Sequence, residues 1–164
     1  MAYPLQSDGP EFAEFYQRHY RSVYRICYTY MKNQYDAEDC TEDTFVRAIT
    51  ASPSFENERH EHAWLSVTAI NVCKDRLKHW WNRKVEPIEN HENVLQKEPD
   101  ESTGVLDAVM RLPPKYKDVV YLYYYDGYQT DEIGRMLGRP ASTVRNQLRD
   151  ARGKLKELLG GDRL

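Results

Sequence analysis

Cysteine is scarce in this chain of 164 residues, which contains only Cys27, Cys40 and Cys73. The number is odd, and no two of them form a Cys-x-x-Cys pair. This pattern favours buried thiols in a reducing compartment over a disulfide framework. Glycine and proline are also few, at eight residues each, which excludes a collagen-like chain and indicates a folded protein.

Long hydrophobic runs are missing as well. The longest unbroken apolar stretch extends from Val119 to Tyr125, whereas a helix that crosses a membrane needs about 18–20 apolar residues. The N-terminus has neither the basic region nor the apolar region of a secretory signal peptide. We therefore expect a cytoplasmic protein with no membrane insertion.

Motifs for catalysis and for cofactor binding are also lacking. The chain contains no phosphate-binding loop, no Gly-x-Ser-x-Gly and no Gly-x-Gly-x-x-Gly pattern. The pair His60 and His62 has no cysteine or carboxylate at a convincing metal-ligand spacing. The sequence therefore predicts a protein that is not an enzyme and that needs neither a cofactor nor a metal.

Charge, in contrast, is plentiful and unevenly distributed. Residues 1–81 carry 12 acidic and 9 basic residues, residues 82–104 carry 6 and 3, and residues 105–164 carry 8 and 11. The balance is therefore −3, −3 and +3. Between positions 135 and 156 Asp150 is the single acid among basic residues, which is typical of a module that binds polyphosphate.

Nearly every periodic segment predicts an α-helix, because apolar residues recur at intervals of three and four. The stretch 82–104 loses this periodicity and is acidic, so we expect a flexible linker there. The fold class is therefore all-α, with a helical domain at 1–81, the linker, and a second helical domain at 105–164. The predicted helices run from Glu11 to Met31, from about Asp36, from about His62 to Trp81, and over 105–111, 115–125, 131–137 and 142–159.

The stretch from Gln129 to Lys156 has the plan of a helix-turn-helix. A short helix ends at Gly138, and a brief turn leads into a longer, arginine-rich helix of the kind that enters the major groove of DNA. Arginine can pair with guanine and asparagine with adenine, whereas lysines near the far end would meet phosphate. The residues expected to join the two helices are Ile133, Leu137, Val144 and Leu148, and those expected to point outward are Arg145, Asn146, Arg149 and Arg152.

Two surfaces of the N-terminal half also stand out. One helix, starting near Asp36, has an exposed acidic face of Asp39, Glu42 and Asp43 with Val46 among them. Such a face would gain little in an isolated bundle, but it offers a partner charge complementarity and a small apolar anchor. Near position 80, cations adjoin Trp80 and Trp81, which suits single-stranded or partly melted DNA because bases stack on aromatic rings. Either tryptophan could instead be a core residue.

Several motifs, in this order, resemble the extracytoplasmic-function sigma factors of bacterial RNA polymerase. The motifs that resemble region 2 are Asp36-Ala37-Glu38-Asp39-Cys40, Asp43-Thr44-Phe45-Val46-Arg47-Ala48, Ala63-Trp64-Leu65, Asn71 and Asp75-Arg76-Leu77. Those that resemble region 4 are Leu112-Pro113-Pro114-Lys115-Tyr116, the run from Val119 to Tyr125, Asp131-Glu132-Ile133, Leu137-Gly138, Ser142-Thr143-Val144-Arg145 and Ala151-Arg152. The family usually has alanine where Gly134 stands, and glycine in a helix interior costs about 1 kcal/mol unless close packing demands it.

The resemblance implies a promoter-recognition subunit that binds core RNA polymerase and promoter DNA, is a monomer when free and is sequestered by an anti-sigma factor. It places core-polymerase binding at Asp36, Asp39, Glu42, Asp43, Val46 and Arg47. It places the minus-ten element at Asn71, Lys74, Arg76, Lys78, Trp80 and Trp81. It places the minus-thirty-five element at Arg139, Ser142, Thr143, Arg145, Asn146, Arg149, Arg152 and Lys154.

A second interpretation remains open from the residues alone. The chain could be a one-component helix-turn-helix regulator whose N-terminal bundle senses a ligand or dimerises. Such a regulator normally binds a two-fold operator as a dimer, whereas a sigma factor is monomeric and needs core polymerase for specific DNA binding.

Overall fold

The computed structural model describes residues 3–4, 10–83 and 104–160. The chain forms two compact units, one within residues 1–96 and the other within residues 97–164. Seven α-helices account for most of the described residues, so the predicted all-α class is confirmed. Most of the linker predicted at 82–104, from residue 84 to residue 103, lies outside the described residues. Of the helices described, none is long and apolar enough to cross a membrane.

The N-terminal unit contains three long helices. Helix α1 spans Pro10–Met31, α2 spans Gln34–Ala51 and α3 spans Glu58–Arg83. A short antiparallel pairing joins β1, Tyr3–Pro4, to β2, Ser54–Phe55, in the segment between α2 and α3. Phe55 is fully buried there and stacks on Phe15 of α1, with ring centroids 5.8 Å apart.

Asparagines, rather than the apolar pattern, set the starts of α2 and α3. The Asn33 side chain accepts a hydrogen bond from the backbone N–H of Asp36 at 2.8 Å, and Asn57 accepts one from the N–H of His60 at 2.9 Å. Each cap satisfies one of the free N–H groups in the first turn of a helix. As a result, both helices begin before the positions that their periodicity predicts.

The three cysteines meet in the core of this unit. Cys27 of α1, Cys40 of α2 and Cys73 of α3 are free thiols and fully buried, which confirms the prediction of buried thiols. Hydrogen bonds with Cys27 and Cys40, together with burial, raise the pKa of the Cys73 thiol well above its usual value. The hydrogen bond with Cys73 has the opposite effect on Cys40, whose pKa is lowered, so the shared contact favours the protonated thiol at Cys73.

The C-terminal unit contains four α-helices. Helix α4 spans Gly104–Arg111, α5 spans Pro114–Val120, α6 spans Thr130–Leu137 and α7 spans Ala141–Leu158. A π-helical turn, Tyr121–Tyr125, continues α5 and is closed by a hydrogen bond from the Asp126 N–H to the Tyr121 carbonyl at 3.1 Å. Gly127 then reverses the chain in the left-handed region.

Helices α6 and α7 form the predicted helix-turn-helix. Gly138 ends α6 with a φ of 71°, a left-handed conformation that glycine adopts without strain. Ile133, Val144 and Leu148 are buried between the helices, while Leu137 is half-buried. A Cβ atom on Gly134 would lie 2.6 Å from the backbone carbonyl oxygen of Arg139. Close packing against the turn thus accounts for the glycine.

Candidate nucleic-acid interface

The outer face of α7 is basic and open to solvent. Its predicted outward residues, Arg145, Asn146, Arg149 and Arg152, are all exposed, as is Lys154. Arg149 donates a hydrogen bond to the Asn146 side-chain oxygen at 3.1 Å and lies 3.6 Å from the Asp150 carboxylate. Ser142 is exposed and Thr143 is half-buried at the start of the helix. The structure therefore brings most of the predicted residues onto one face.

Arg139 binds a buried carboxylate within the C-terminal unit. Its guanidinium donates two hydrogen bonds to the Asp118 carboxylate of α5, at 2.7 and 3.2 Å, and a third to the Gln147 side-chain oxygen at 2.8 Å. Asp118 is fully buried, so this ion pair fastens the turn of the helix-turn-helix to both α5 and α7. Sequence reasoning missed Asp118, and the DNA contact predicted for Arg139 stays a prediction.

Arg152 has a partner that the sequence also failed to indicate. Its Nε donates a hydrogen bond of 2.7 Å to the hydroxyl of Tyr124, which lies in the π-helical turn after α5. The same guanidinium lies 5.9 Å from the centre of the Tyr124 ring. Both side chains are exposed, so the contact lies at the surface of the unit.

The acidic face predicted on α2 is present, and its role in binding polymerase stays a prediction. Asp39, Glu42, Asp43 and Val46 are exposed, with Val46 57% exposed. Asp36 is instead buried, because its carboxylate accepts a hydrogen bond of 2.8 Å from the capping residue Asn33. Its local role is to complete the start of α2, so it adds little to the outer face.

A row of tyrosines runs along α1, and one of them, Tyr20, lies near acids of α2. Tyr16, Tyr20, Tyr24 and Tyr28 lie one turn apart, half-buried, with successive ring centroids 5.4, 6.1 and 6.1 Å apart. Burial raises the pKa of Tyr20, and so do Tyr16 and the carboxylates of Glu38 and Glu42. Tyr20 of α1 therefore lies near Glu42 of the acidic face.

The basic end of α3 is only partly free. Arg76 bridges to α2, with its two terminal nitrogens 2.8 Å from the carboxylates of Asp39 and Asp43. An arginine that was predicted to bind DNA thus binds two acids that were predicted to bind core polymerase. Arg47 similarly lies 3.8 Å from Asp75. Asn71 and Lys78 are exposed, and Lys74 is half-buried.

The two tryptophans at this end have different surroundings. Trp81 is 81% exposed, whereas Trp80 is half-buried. Exposure of a large apolar indole to water is unfavourable in free energy, and the flat face of the ring is suited to stacking with an unpaired base. Of the two, Trp81 is the better stacking platform.

The histidines take part in polar contacts within the N-terminal unit. His19 lies 2.7 Å from the buried carboxylate of Glu61, which also binds Arg18 at 2.9 Å, and His62 lies 3.0 Å from the Ser22 hydroxyl. His60 accepts a hydrogen bond from the Glu56 N–H. Across the described ranges, no three His, Cys, Asp or Glu side chains are placed to hold a metal ion.

Comparisons with known proteins match each unit separately. Residues 15–82 match the family model described as sigma-70 region 2, and residues 103–155 match sigma-70, region 4. The chain belongs to the sigma-70 family. An extracytoplasmic-function sigma factor, SigM of Mycobacterium tuberculosis, is 28% identical over 162 residues, covering 98% of this chain and 83% of the relative. SigW of Bacillus subtilis is 26% identical over 171 residues, covering 94% and 91%.

Solved structures have the same fold. The sigma factor RpoE of Bartonella quintana, solved with the anti-sigma factor NepR, aligns with a TM-score of 0.70 at 18% identity, covering 94% of this chain and all of that one. CnrH, solved with the cytosolic domain of CnrY, aligns at 0.65 and 23% identity, covering 93% and 89%. The protein is an extracytoplasmic-function sigma factor, because sigma-70 regions 2 and 4 both match and the relatives of that class span nearly the whole chain. A one-component regulator would not have region 2 as its N-terminal unit.

Proposed function

We propose that this sigma factor binds core RNA polymerase through α2, binds the minus-ten element with the end of α3, and reads the minus-thirty-five element with α7. The observation that carries the proposal is the match of region 2 and region 4 to two separate units, each with an open surface of fitting chemistry. The corresponding domains are residues 1–81 and 105–164, joined by the stretch 82–104.

Polymerase docking is assigned to the exposed acids and Val46 of α2. Carboxylates around an apolar anchor attract a basic partner surface, and the ring of Tyr20, near Glu42, can add a cation–π contact. Glu42 is the best probe, because Asp39 and Asp43 already bind Arg76. Reversing those two charges would also break a contact between α2 and α3.

The docking experiment reverses the charge of Glu42. We expect Glu42→Lys to weaken binding to core polymerase at least about tenfold, since a like charge in a complementary interface is repulsive. Glu14→Lys is the matched control, because Glu14 is exposed on α1. If both variants bind core polymerase equally well, the docking surface must be sought elsewhere.

Promoter reading is assigned to α7. Arg145 lies in the first turns of the helix, is exposed, and makes no hydrogen bond or ion pair with the described residues. It can therefore bind guanine with both arms of its guanidinium. Lys154 lies nine residues further along, about 13 Å along the axis at 1.5 Å per residue, where phosphate is the expected partner.

The DNA experiment measures the affinity of holoenzyme for a promoter library at several salt concentrations. We expect Arg145→Ala to cost about 1–3 kcal/mol and to relax the preference at one or two minus-thirty-five positions. Lys154→Ala should weaken all promoters alike and reduce the salt slope by about one unit. If Arg145→Ala lowers every affinity equally, base reading moves to Asn146 and Arg149.

The remaining assignments follow from family membership. We propose that the chain catalyses no covalent step, acts in the cytoplasm, is monomeric when free and is held inactive by an anti-sigma factor. The support for the last assignment is the fold shared with RpoE, whose structure was solved with the anti-sigma factor NepR. Size-exclusion chromatography with light scattering tests the monomer, and a dimer on a two-fold operator would contradict it.

A further inference from the structure

The contact between Tyr124 and Arg152 joins two exposed side chains that are 28 residues apart in the sequence. The hydrogen bond uses the Nε of Arg152, which leaves the two terminal nitrogens of the guanidinium for another partner. Tyr124 is 51% exposed, so neither side chain is drawn into the core. A solvent-exposed contact of this kind adds little to stability and is better explained by what it does to the arginine.

Tyr124 is itself supported by its neighbours. The ring of Tyr123 packs against it edge to face, with centroids 4.9 Å apart and planes at 85°, and Tyr121 stacks on Tyr125 at 5.0 Å. All four tyrosines lie in the π-helical turn Tyr121–Tyr125, and such turns are frequent at functional sites. Packing among the rings of the π-helical turn therefore restricts the position of the Tyr124 hydroxyl.

A hydrogen bond at Nε restricts the rotamers of Arg152 before any ligand arrives. A free arginine side chain has many rotamers to lose on binding, and ordering it beforehand reduces the cost of binding. Arg152 lies ten residues after Ser142, about 15 Å along the axis at 1.5 Å per residue. It therefore lies on the same side of α7 as Arg145 and Arg149 but beyond the first turns that read bases, where DNA phosphate is the fitting partner.

We propose that Tyr124 is a positioning residue for DNA binding, which orients Arg152 so that its terminal nitrogens bind a phosphate of the minus-thirty-five element. The proposal rests on the proposed function of α7 and adds a residue from outside the helix-turn-helix. It assigns Tyr124 no direct contact with the phosphate, so Tyr124 acts through Arg152 alone.

The test is a double-mutant cycle on holoenzyme, with affinity for promoter DNA measured at several salt concentrations. Arg152→Ala should weaken all promoters and reduce the salt slope by about one unit, because one phosphate contact is lost. Tyr124→Phe keeps the ring and should lower affinity about two- to fivefold, the value of one hydrogen bond, with the salt slope unchanged. The double variant should match Arg152→Ala, and Tyr123→Phe, the matched control, should match the wild type.

Two outcomes would overturn the proposal. One is an equal loss from Tyr124→Phe with and without Arg152, which would mean that the hydroxyl acts independently of the arginine. The other is an Arg152→Ala variant that binds as tightly as the wild type. Failure of the proposed function looks different, because Arg145→Ala and Lys154→Ala would then also leave DNA binding unchanged.

Discussion

Replacing glycine by alanine should have opposite effects at two helical positions of the C-terminal unit. In an exposed helix interior the change stabilises by about 1 kcal/mol, because alanine has the higher helix propensity. Gly153 of α7 is such a position, since a Cβ there would meet nothing within 4 Å. Gly134 of α6 is not, since its Cβ would lie 2.6 Å from the Arg139 carbonyl oxygen, a backbone atom that can retreat only if the turn moves.

The magnitude at Gly134 is a difference between two effects. Overpacking costs about 1–3 kcal/mol, and the gain in propensity returns about 1 kcal/mol. We therefore expect Gly134→Ala to lower the free energy of unfolding by up to about 2 kcal/mol. Gly153→Ala should raise it by about 1 kcal/mol. Amide hydrogen exchange of α6 and α7 measures both changes in the full chain. A Gly134→Ala variant that is stabilised as much as Gly153→Ala would refute the reasoning.

Three further predictions follow from buried or capping groups. Asp118→Ala should lower the free energy of unfolding by about 2–4 kcal/mol, because it leaves the Arg139 guanidinium, which is 21% exposed, without its buried partner. Asp150→Ala, the surface control, should lower it by less than about 0.5 kcal/mol when both are measured by hydrogen exchange, and equal losses would contradict the ion pair. Iodoacetamide should alkylate Cys27, Cys40 and Cys73 only as fast as the N-terminal unit opens, because the thiols are buried and the raised pKa of Cys73 leaves less thiolate at neutral pH. Rapid labelling of the folded chain would contradict this prediction. Asn57→Ala should cost about 0.5–2 kcal/mol of N-terminal stability as a lost helix cap, and an unchanged melting curve would rule the cap out.

The sequence predicted the helices because the apolar periodicity of 3.6 residues is a local signal. It also predicted the outward face of α7, since Arg145, Asn146, Arg149 and Arg152 repeat at helical spacing in a helix whose other side is apolar. The helix starts at Asn33 and Asn57 were missed. An asparagine just before a helical stretch is itself a signal for a helix N-terminus, because its side chain can accept a hydrogen bond from an N–H of the first turn.

Pairings between helices could not be predicted from periodicity. Arg76 is separated from Asp39 by 37 residues, Arg139 from Asp118 by 21, and Arg152 from Tyr124 by 28. Each pair depends on how two helices pack, which a helical repeat does not encode. Most residues of the predicted α2 and α7 surfaces are exposed, although Asp36 is buried and several charges have partners within the protein. The roles of these surfaces stay predictions.

The positions of the tryptophans give each unit its own optical signature. All three, Trp64, Trp80 and Trp81, lie on α3 in the N-terminal unit, whereas the described C-terminal residues absorb ultraviolet light chiefly through tyrosines such as those of the π-helical turn. Excitation at the red edge, where only indole absorbs, therefore monitors the N-terminal unit alone. In the free chain, a change in that emission therefore reports on the surroundings of α3, where Trp81 is the indole most exposed to a stacking base.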